Sequence, residues 1–382
     1  MKVLVLGGDG YLGWPTAMDL SGRGHETTVA DNYLRRKMCL EEDAAPLYPV
    51  PSLPERVKLW QDCSGHVIRH WVGDLREWEF ISSVMTASQP ECVIHYAEQP
   101  SAPYSMLNRR TATLTLLNNL AVTANVIFAV REFCPQAHIV KLGTMGEYGT
   151  PNIDIEEGWL EIEHKGRRDR FLYPRAAGSL YHTTKIQDTD LLWFYVRTWG
   201  LRVTDLMQGP VYGVYTPESR QDDRLLPFLN YDELFGTVLN RFVVQAAAEY
   251  PLTVYGKGGQ TRGYLNILDT LQCVRLALES PPPAGTLRVM NQFTETFSVR
   301  ELAEKVTRAA RALDLKVETR SVMNPRVEAE QHYYNPAHTA FDELGLRPHL
   351  LNDEVLAEMI ALALRHRHEI DSSRFMGKGA RW

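Results

Sequence analysis

The chain is short of cysteine, and what it has is scattered. Cys39, Cys63, Cys92, Cys134 and Cys273 are odd in number and form no C-x-x-C. A disulfide framework or a paired-thiolate metal site is therefore not expected, and reduced thiols in a cytoplasmic setting are. An excess of one charge is also missing. Against 41 basic side chains stand 47 acidic ones, for a formal charge of −6, so neither nucleic acid nor an anionic membrane surface is an expected partner. No unbroken apolar run approaches the ~20 residues that cross a bilayer. A strand pattern starting at Lys2 leaves no room for a leader peptide before it. There is no internal repeat. What remains is a chain of 382 residues, 44% of them apolar, enough for a sizeable core divided into two lobes.

Strand and helix patterns alternate through the first half. Strands are expected at Val3–Leu6, Thr27–Ala30, Val67–Val72, Cys92–His95 and His138–Leu142. Helices are expected between them at Tyr11–Arg23, Trp78–Ala87 and about Ala112–Phe133. That rhythm predicts an α/β fold, a Rossmann-type doubly wound parallel sheet, followed by a smaller C-terminal α/β lobe. The expected division is 1–205, with segments near 236–275 returning to it, and 206–382. Residues 33–60 run from basic to acidic to Pro-rich and read as a long surface excursion. Residues 152–178 alternate around Lys165-Gly166 and read as a β-hairpin, either a cap over a site or a solvent hairpin. Beyond Pro281-Pro282-Pro283 come a strand at Leu287–Met290, helices at about 299–312 and 353–368, and a loose tail from Ser372.

The first strand runs into Gly7, Gly10 and Gly13, and a helix follows. Glycines there suit a tight turn where Cβ atoms would block a pyrophosphate, which the helix N-terminus then receives. Asp31 ends the next strand, where a carboxylate accepts hydrogen bonds from an adenosine ribose. It would repel a 2′-phosphate, so NAD is expected rather than NADP, although Arg35 and Arg36 nearby argue the other way. Asp74 either touches adenine or caps the helix after it. Asp9, Tyr11, Leu12, Asn32, Leu75 and Asn118 complete the expected cofactor contacts.

Much later the chain reads Tyr181-His182-Thr183-Thr184-Lys185. Residues four apart share a helical face, so Lys185 lies beside Tyr181 and favours its phenolate. Tyr181 can then take a proton from a sugar hydroxyl while the carbon gives hydride to NAD. Thr144, after the fifth strand, can hydrogen-bond the same oxygen, and Asn118 or Asn119 can support Lys185. His182 lies about a hundred degrees round the helix and either packs or joins the site. His366 and His368, two apart, face different ways, and no metal is expected.

The set from Gly7 to Lys185 resembles the extended short-chain dehydrogenase/reductase superfamily. Gln208-Gly-Pro-Val-Tyr-Gly213 and Val254-Tyr-Gly-Lys-Gly-Gly-Gln-Thr-Arg-Gly-Tyr264 resemble its second half. By that resemblance Asn240, Thr253, Tyr255, Gln260, Arg262, Arg326 and Glu328 should line a UDP pocket, with Gln208 beside them. Arg forks also grip phosphate well on their own account. Within the superfamily, Leu142-Gly-Thr-Met-Gly-Glu-Tyr148 through Gly158, Ser101-Ala-Pro-Tyr-Ser-Met106, Asn291-Gln-Phe-Thr-Glu295 and Asn324–Asn335 resemble the UDP-sulfoquinovose synthase family. A 4,6-dehydratase would carry Asp-Glu where Met145-Gly146 stands.

That resemblance implies conversion of UDP-glucose and sulfite to a sulfonated sugar nucleotide, the head group of sulfolipid. C4 is oxidised with Tyr181 and NAD, the C5 proton is removed, and hydroxide leaves C6. Sulfite then adds to C6, C5 is reprotonated and hydride returns to C4, so NAD is regenerated and should stay bound. His182, Glu147 and Met145 are expected at the C5–C6 end, and Gln99, Ser101 and Tyr104 near the sugar. One position departs from the family: Pro100 stands where an Arg is usual, which removes a cation from the expected sulfite path. A homodimer through the long helices is also expected. Other readings are an epimerase or dehydratase of the same fold, or a non-catalytic NAD-sensing regulator or RNA-binding module. The last lacks a basic stripe.

Overall fold

A computed structural model describes residues 1–327, 332–379 and 381. Along the first half run β1 (Lys2–Leu6), α1 (Gly13–Gly22), β2 (Glu26–Asp31), α2 (Leu34–Glu41), α3 (Leu53–Ser64), β3 (Ile68–Val72), α4 (Trp78–Ser88), β4 (Cys92–His95), α5 (Ala102–Ser105), α6 (Arg109–Phe133) and β5 (His138–Thr144). A hairpin of β6 (Trp159–His164) and β7 (Arg167–Leu172) precedes α7 (Leu180–Trp199) and β8 (Arg202–Gln208). The rest comprises β9 (Val211–Tyr212), α8 (Val238–Ala247), β10 (Leu252–Tyr255), β11 (Thr261–Asn266), α9 (Ile267–Glu279), β12 (Thr286–Gln292), β13 (Glu295–Ser298), α10 (Val299–Arg311), β14 (Thr319–Val322), α11 (Ala340–Glu343) and α12 (Asp353–Arg365).

Seven of these strands form one parallel sheet in the order β12-β8-β5-β4-β1-β2-β3. Leu4, Val5 and Leu6 in succession are fully buried, as a strand covered by helices on both faces requires. The order reverses between β1 and β4. A crevice opens at their carboxyl ends, where such sheets bind ligands. The chain returns to this sheet at β8 and again at β12, while α8, α10 and α12 share a second core with β10 and β11.

Four local expectations are corrected. Residues 33–60 are two helices, not a surface excursion. Ser52 and Glu55 form a capping box on α3, and Leu53, Arg56 and Trp60 are buried. The tail from Ser372 is packed rather than loose, with Phe375 fully buried against Tyr250 and Tyr231. The helix expected to reach 368 ends at Arg365. Finally, α6 is long and apolar enough to cross a membrane by length and composition, with an 18-residue stretch of mean hydropathy 1.5. Interspersed polar residues hid it from a search for an unbroken run. Half of that stretch is buried, and α6 packs on α4 and α7. The hairpin turns at Lys165 and Gly166, both at positive φ (50° and 72°), the two-residue geometry that matches strand twist.

Candidate active site

The glycine turn is shaped by contact. Gly7 has φ +86°, and a Cβ there would lie 2.8 Å from the Tyr96 carbonyl carbon. At Gly13 a Cβ would come within 2.0 Å of Gly7 O, so this glycine seats α1 on the turn. Gly10 differs. Its Cβ would meet only Gly7 O, at 3.4 Å, and the space beyond belongs to a cavity of about 790 Å³. Gly7, Gly10, Tyr11, Leu12 and Gly13 all border that cavity.

Asp31 reaches the wall and accepts from Asp9 N at 2.9 Å and Tyr33 N at 2.7 Å. Burial, then the nearby Asp9 charge, push its pKa up to about 6. Asn32, Arg35, Leu75 and Asn118 also border the cavity. Asp9 does not. Its carboxylate turns inward between Arg36 (2.7 Å) and the fully buried Arg56, so Arg36 is committed to structure. Arg35 donates to Asn230 at 3.0 Å and lies over the Phe235 ring. Asp74 is off the wall too. It grips the Arg76 guanidinium at 2.6 Å and accepts from Arg76 N at 2.9 Å, and the residue at the N-cap of α4 is Glu77, so Asp74 does not cap that helix.

Thr144 ends β5 and caps the turn that follows, accepting from Gly146 N at 3.2 Å. Ser179 caps α7 by accepting from His182 N at 3.2 Å. That puts Tyr181 in the first turn, where its orphan N–H donates to Ser105 Oγ at 3.1 Å. Thr144, Met145, Tyr181 and His182 share the cavity wall. Burial, then Glu98 and Glu147, raise the Tyr181 pKa. Burial, then the fields of Arg326 and Arg262, bring His182 down to about 3, so its imidazole is neutral. Lys185 is buried off the cavity wall and donates to Glu98 Oε1 at 2.6 Å. Asn119 supports this helix through Thr184 Oγ1 at 3.0 Å, not through Lys185.

Several expected contacts lie behind the wall. Glu147 is sealed in a buried cluster with Lys141 (3.6 Å) and Arg175 (3.3 Å), and burial raises its pKa against their pull. Gln99 spends its amide on Ser101 O and Thr115 Oγ1. Tyr104 packs against Phe235, and Thr253 is consumed by Gln245. Glu328 lies outside the described residues. Ser101 and Pro100 do border the cavity.

At the far end, Gln208, Asn240, Tyr255, Gln260, Arg262 and Arg326 all line the same cavity. Both amide atoms of Gln260 are buried without a partner among the described residues, as a group awaiting a ligand would be. Arg241 is a wall residue that sequence reasoning missed. It is buried, stacks on Tyr255, and leaves Nε without a partner among the described residues. Its apolar helical surroundings gave the signal: a charge on a buried face needs a reason. Lys141 and Asp205 were missed as well, although each is a charge inside an otherwise apolar strand. They face each other in register across β5 and β8 at 3.3 Å.

The glycine cradle and Asp31 therefore fit a dinucleotide, and the Gln260 end fits a second polar ligand. Comparison with known proteins bears on which family builds such a cleft. Residues 3–291 match the NAD dependent epimerase/dehydratase family. The Thermus thermophilus UDP-glucose 4-epimerase, solved in complex with NAD, superposes with a TM-score of 0.67 at 23% identity, covering 95% of this chain and 99% of that one; it shares the fold. The chloroplastic UDP-sulfoquinovose synthase of Spinacia oleracea is 50% identical over 375 residues, 98% of this chain and 78% of the relative. The UDP-sulfoquinovose synthase of Sulfolobus acidocaldarius is 46% identical over 349 residues, 91% and 88% of the two chains. With an identity of about half along nearly its whole length, the chain belongs to the UDP-sulfoquinovose synthases within the NAD dependent epimerase/dehydratase family.

Proposed function

We propose that the protein is an NAD-dependent UDP-sulfoquinovose synthase, acting on UDP-glucose and sulfite. The observation that carries this is the continuous cavity joining the Gly7–Asp31 cradle, the Thr144–Tyr181–His182 wall and the Gln260–Arg241 end. A cofactor and a sugar nucleotide can meet there, and family membership selects the reaction.

Gly7, Gly10, Gly13, Asp31 and Asn32 would hold the dinucleotide, which supplies a reversible hydride acceptor for C4 of the sugar. Tyr181 takes the proton of the C4 hydroxyl and gives it back at the end. Thr144 Oγ1 holds that oxygen, and the buried Lys185 keeps the tyrosine in register. Arg241, Arg262, Arg326 and the Gln260 amide bind the diphosphate and base, which places the glucosyl ring against Tyr181. Once C4 is a ketone, the C5 proton is acidic. His182, neutral and on the wall, is the group proposed to move it, while Met145 excludes water. Glu147 acts from behind by anchoring the Thr144 N–H at 3.1 Å.

Sulfite as the nucleophile rests on the family, because Pro100 brings no charge to the wall. Incubating the protein with UDP-glucose, with and without sulfite, tests it by mass. A product in which sulfonate replaces hydroxyl is expected, with one deuterium at C5 in deuterated water. C5 exchange without sulfonate points to a 5,6-dehydratase with another acceptor, and inversion at C4 without exchange points to an epimerase.

A homodimer is proposed on the exposed Leu117, Phe128 and Phe194 of α6 and α7. Sedimentation showing a monomer would remove it. A reducing compartment such as the cytoplasm is proposed on five thiols that form no disulfide. Recovery from an oxidising compartment would count against that.

A further inference from the structure

Lys185 is not the isolated ammonium that a Tyr–Lys helical pair suggests. Glu98, on the loop after β4, holds it at 2.6 Å, and the two side chains are only 5% and 3% exposed. Glu98 also borders the cavity. Its second oxygen, Oε2, is buried without a hydrogen-bond partner among the described residues. A carboxylate with one committed oxygen and one uncommitted oxygen therefore stands at the wall, close enough for its charge to act on Tyr181.

The surrounding elements decide which groups carry charge. From β4, His95 lies 3.7 Å from Glu98, and burial takes its pKa down to about 4, so it is neutral. From α7, Asp188 lies 3.9 Å from Lys185 Nζ. Burial, then Glu98, push its carboxyl well above the usual carboxylate range. From β5 and its turn, Lys141 and Glu147 are committed to Asp205 of β8 and to Arg175. The side of α6 facing them offers the uncharged Asn119 and Thr123. Burial pushes the Glu98 carboxyl up, but Lys185 and the other cations around it together hold it below the usual carboxylate range. Glu98 is thus the carboxylate that Lys185 grips directly, with Asp188 farther off.

We propose that Glu98 is a positioning residue for the Tyr181–Lys185 pair: its carboxylate fixes the ammonium and offsets its charge, so that Tyr181 gives the sugar-hydroxyl proton back as readily as it takes it. This rests on the function proposed above. An uncompensated Lys185 would draw Tyr181 strongly toward phenolate. That favours removal of the C4 hydroxyl proton and hinders its return. A cycle that oxidises and then reduces the same carbon needs both transfers, so a balanced pair suits it. Glu98 is placed to supply the balance, and after burial it is the foremost influence holding Tyr181 protonated.

The test is Glu98→Gln in the full-length holoprotein, which removes the charge while keeping an oxygen to accept from Lys185. Ionisation of Tyr181 should move about one pH unit lower, the size expected when one charge is removed at close range. It is read from tyrosinate absorbance against Tyr181→Phe in the same background. The acid limb of the rate profile should move down with it, and Glu98→Asp should restore most of the shift. The absorbance reading needs no turnover, so it stands even if the proposed reaction fails. Unmoved or raised ionisation in a folded Glu98→Gln protein overturns the proposal. If that variant does not fold, Lys185→Gln reads the same coupling from the other partner. Tyr181 ionisation should then rise, and no change overturns the proposal equally.

Discussion

At the scale of single residues, the chemistry depends on which groups face the cavity. Tyr181 does, so Tyr181→Phe should lower turnover by roughly 10²–10⁴-fold, the usual worth of a positioned acid–base group. UDP-glucose affinity should hold, because the diphosphate is gripped elsewhere. Titration calorimetry beside rate measurements checks both. Asp31 gives a pH dependence with a definite sign. Its pKa, pushed up to about 6, leaves it charged above that pH and protonated below. Only the charged form offers a full set of acceptors to a ribose, so NAD affinity should fall as pH drops through about 6. Asp31→Asn should bind weakly and lose that dependence. Fluorescence titration with the reduced dinucleotide, repeated on both sides of that pH, is the measurement. Asp9, within the glycine turn, was expected among the cofactor contacts. It instead neutralises Arg36 and Arg56, and sequence spacing does not reveal which way a carboxylate turns.

At the scale of elements, the glycine turn separates two roles that look identical in sequence. Gly13→Ala drives a Cβ to 2.0 Å from Gly7 O, so the strand–helix junction must shift. A marked fall in Tm and loss of NAD are expected together. Gly10→Ala meets backbone only at 3.4 Å, an ordinary contact. Its Tm without cofactor should stay near that of the parent while NAD retention drops, because the methyl occupies pyrophosphate space. Thermal melts with and without added NAD distinguish the two. The alternating strands were legible because each is short, apolar and bounded by turns. The helices α2 and α3 were not. The prolines between and within them suggested loop, yet Pro54 sits in a first turn, where its missing N–H costs nothing.

At the scale of the whole molecule, the chain's end secures its beginning. Phe228, Asn230, Glu233, Leu234 and Phe235 roof the cavity near Asp31 and Arg35. The C-terminal tail ties that roof down. Lys378 N donates to Glu233 at 2.7 Å, Glu233 N donates to Arg374 O at 3.1 Å, and Arg374 pairs with Asp43 at 2.8 Å. Truncation after Ile370 removes these ties and the buried Phe375. Bound NAD should then exchange faster, with a lower Tm, read by trapping released cofactor during incubation with labelled NAD. Retention equal to the parent would show that the roof holds without the tail.

The sequence by itself determined the doubly wound sheet, the glycine cradle, Asp31, the Tyr181–Lys185 spacing and the family, because each is written in local pattern or in long matching segments. Only the tertiary structure decided what surrounds them. It sealed Glu147 behind the wall with Lys141 and Arg175, set Glu98 against Lys185, brought Arg241 to the cavity, and folded the tail over the cofactor end. These are contacts between residues far apart in the chain. Their partners, burial and charge states follow from which elements pack together, and no local spacing encodes that.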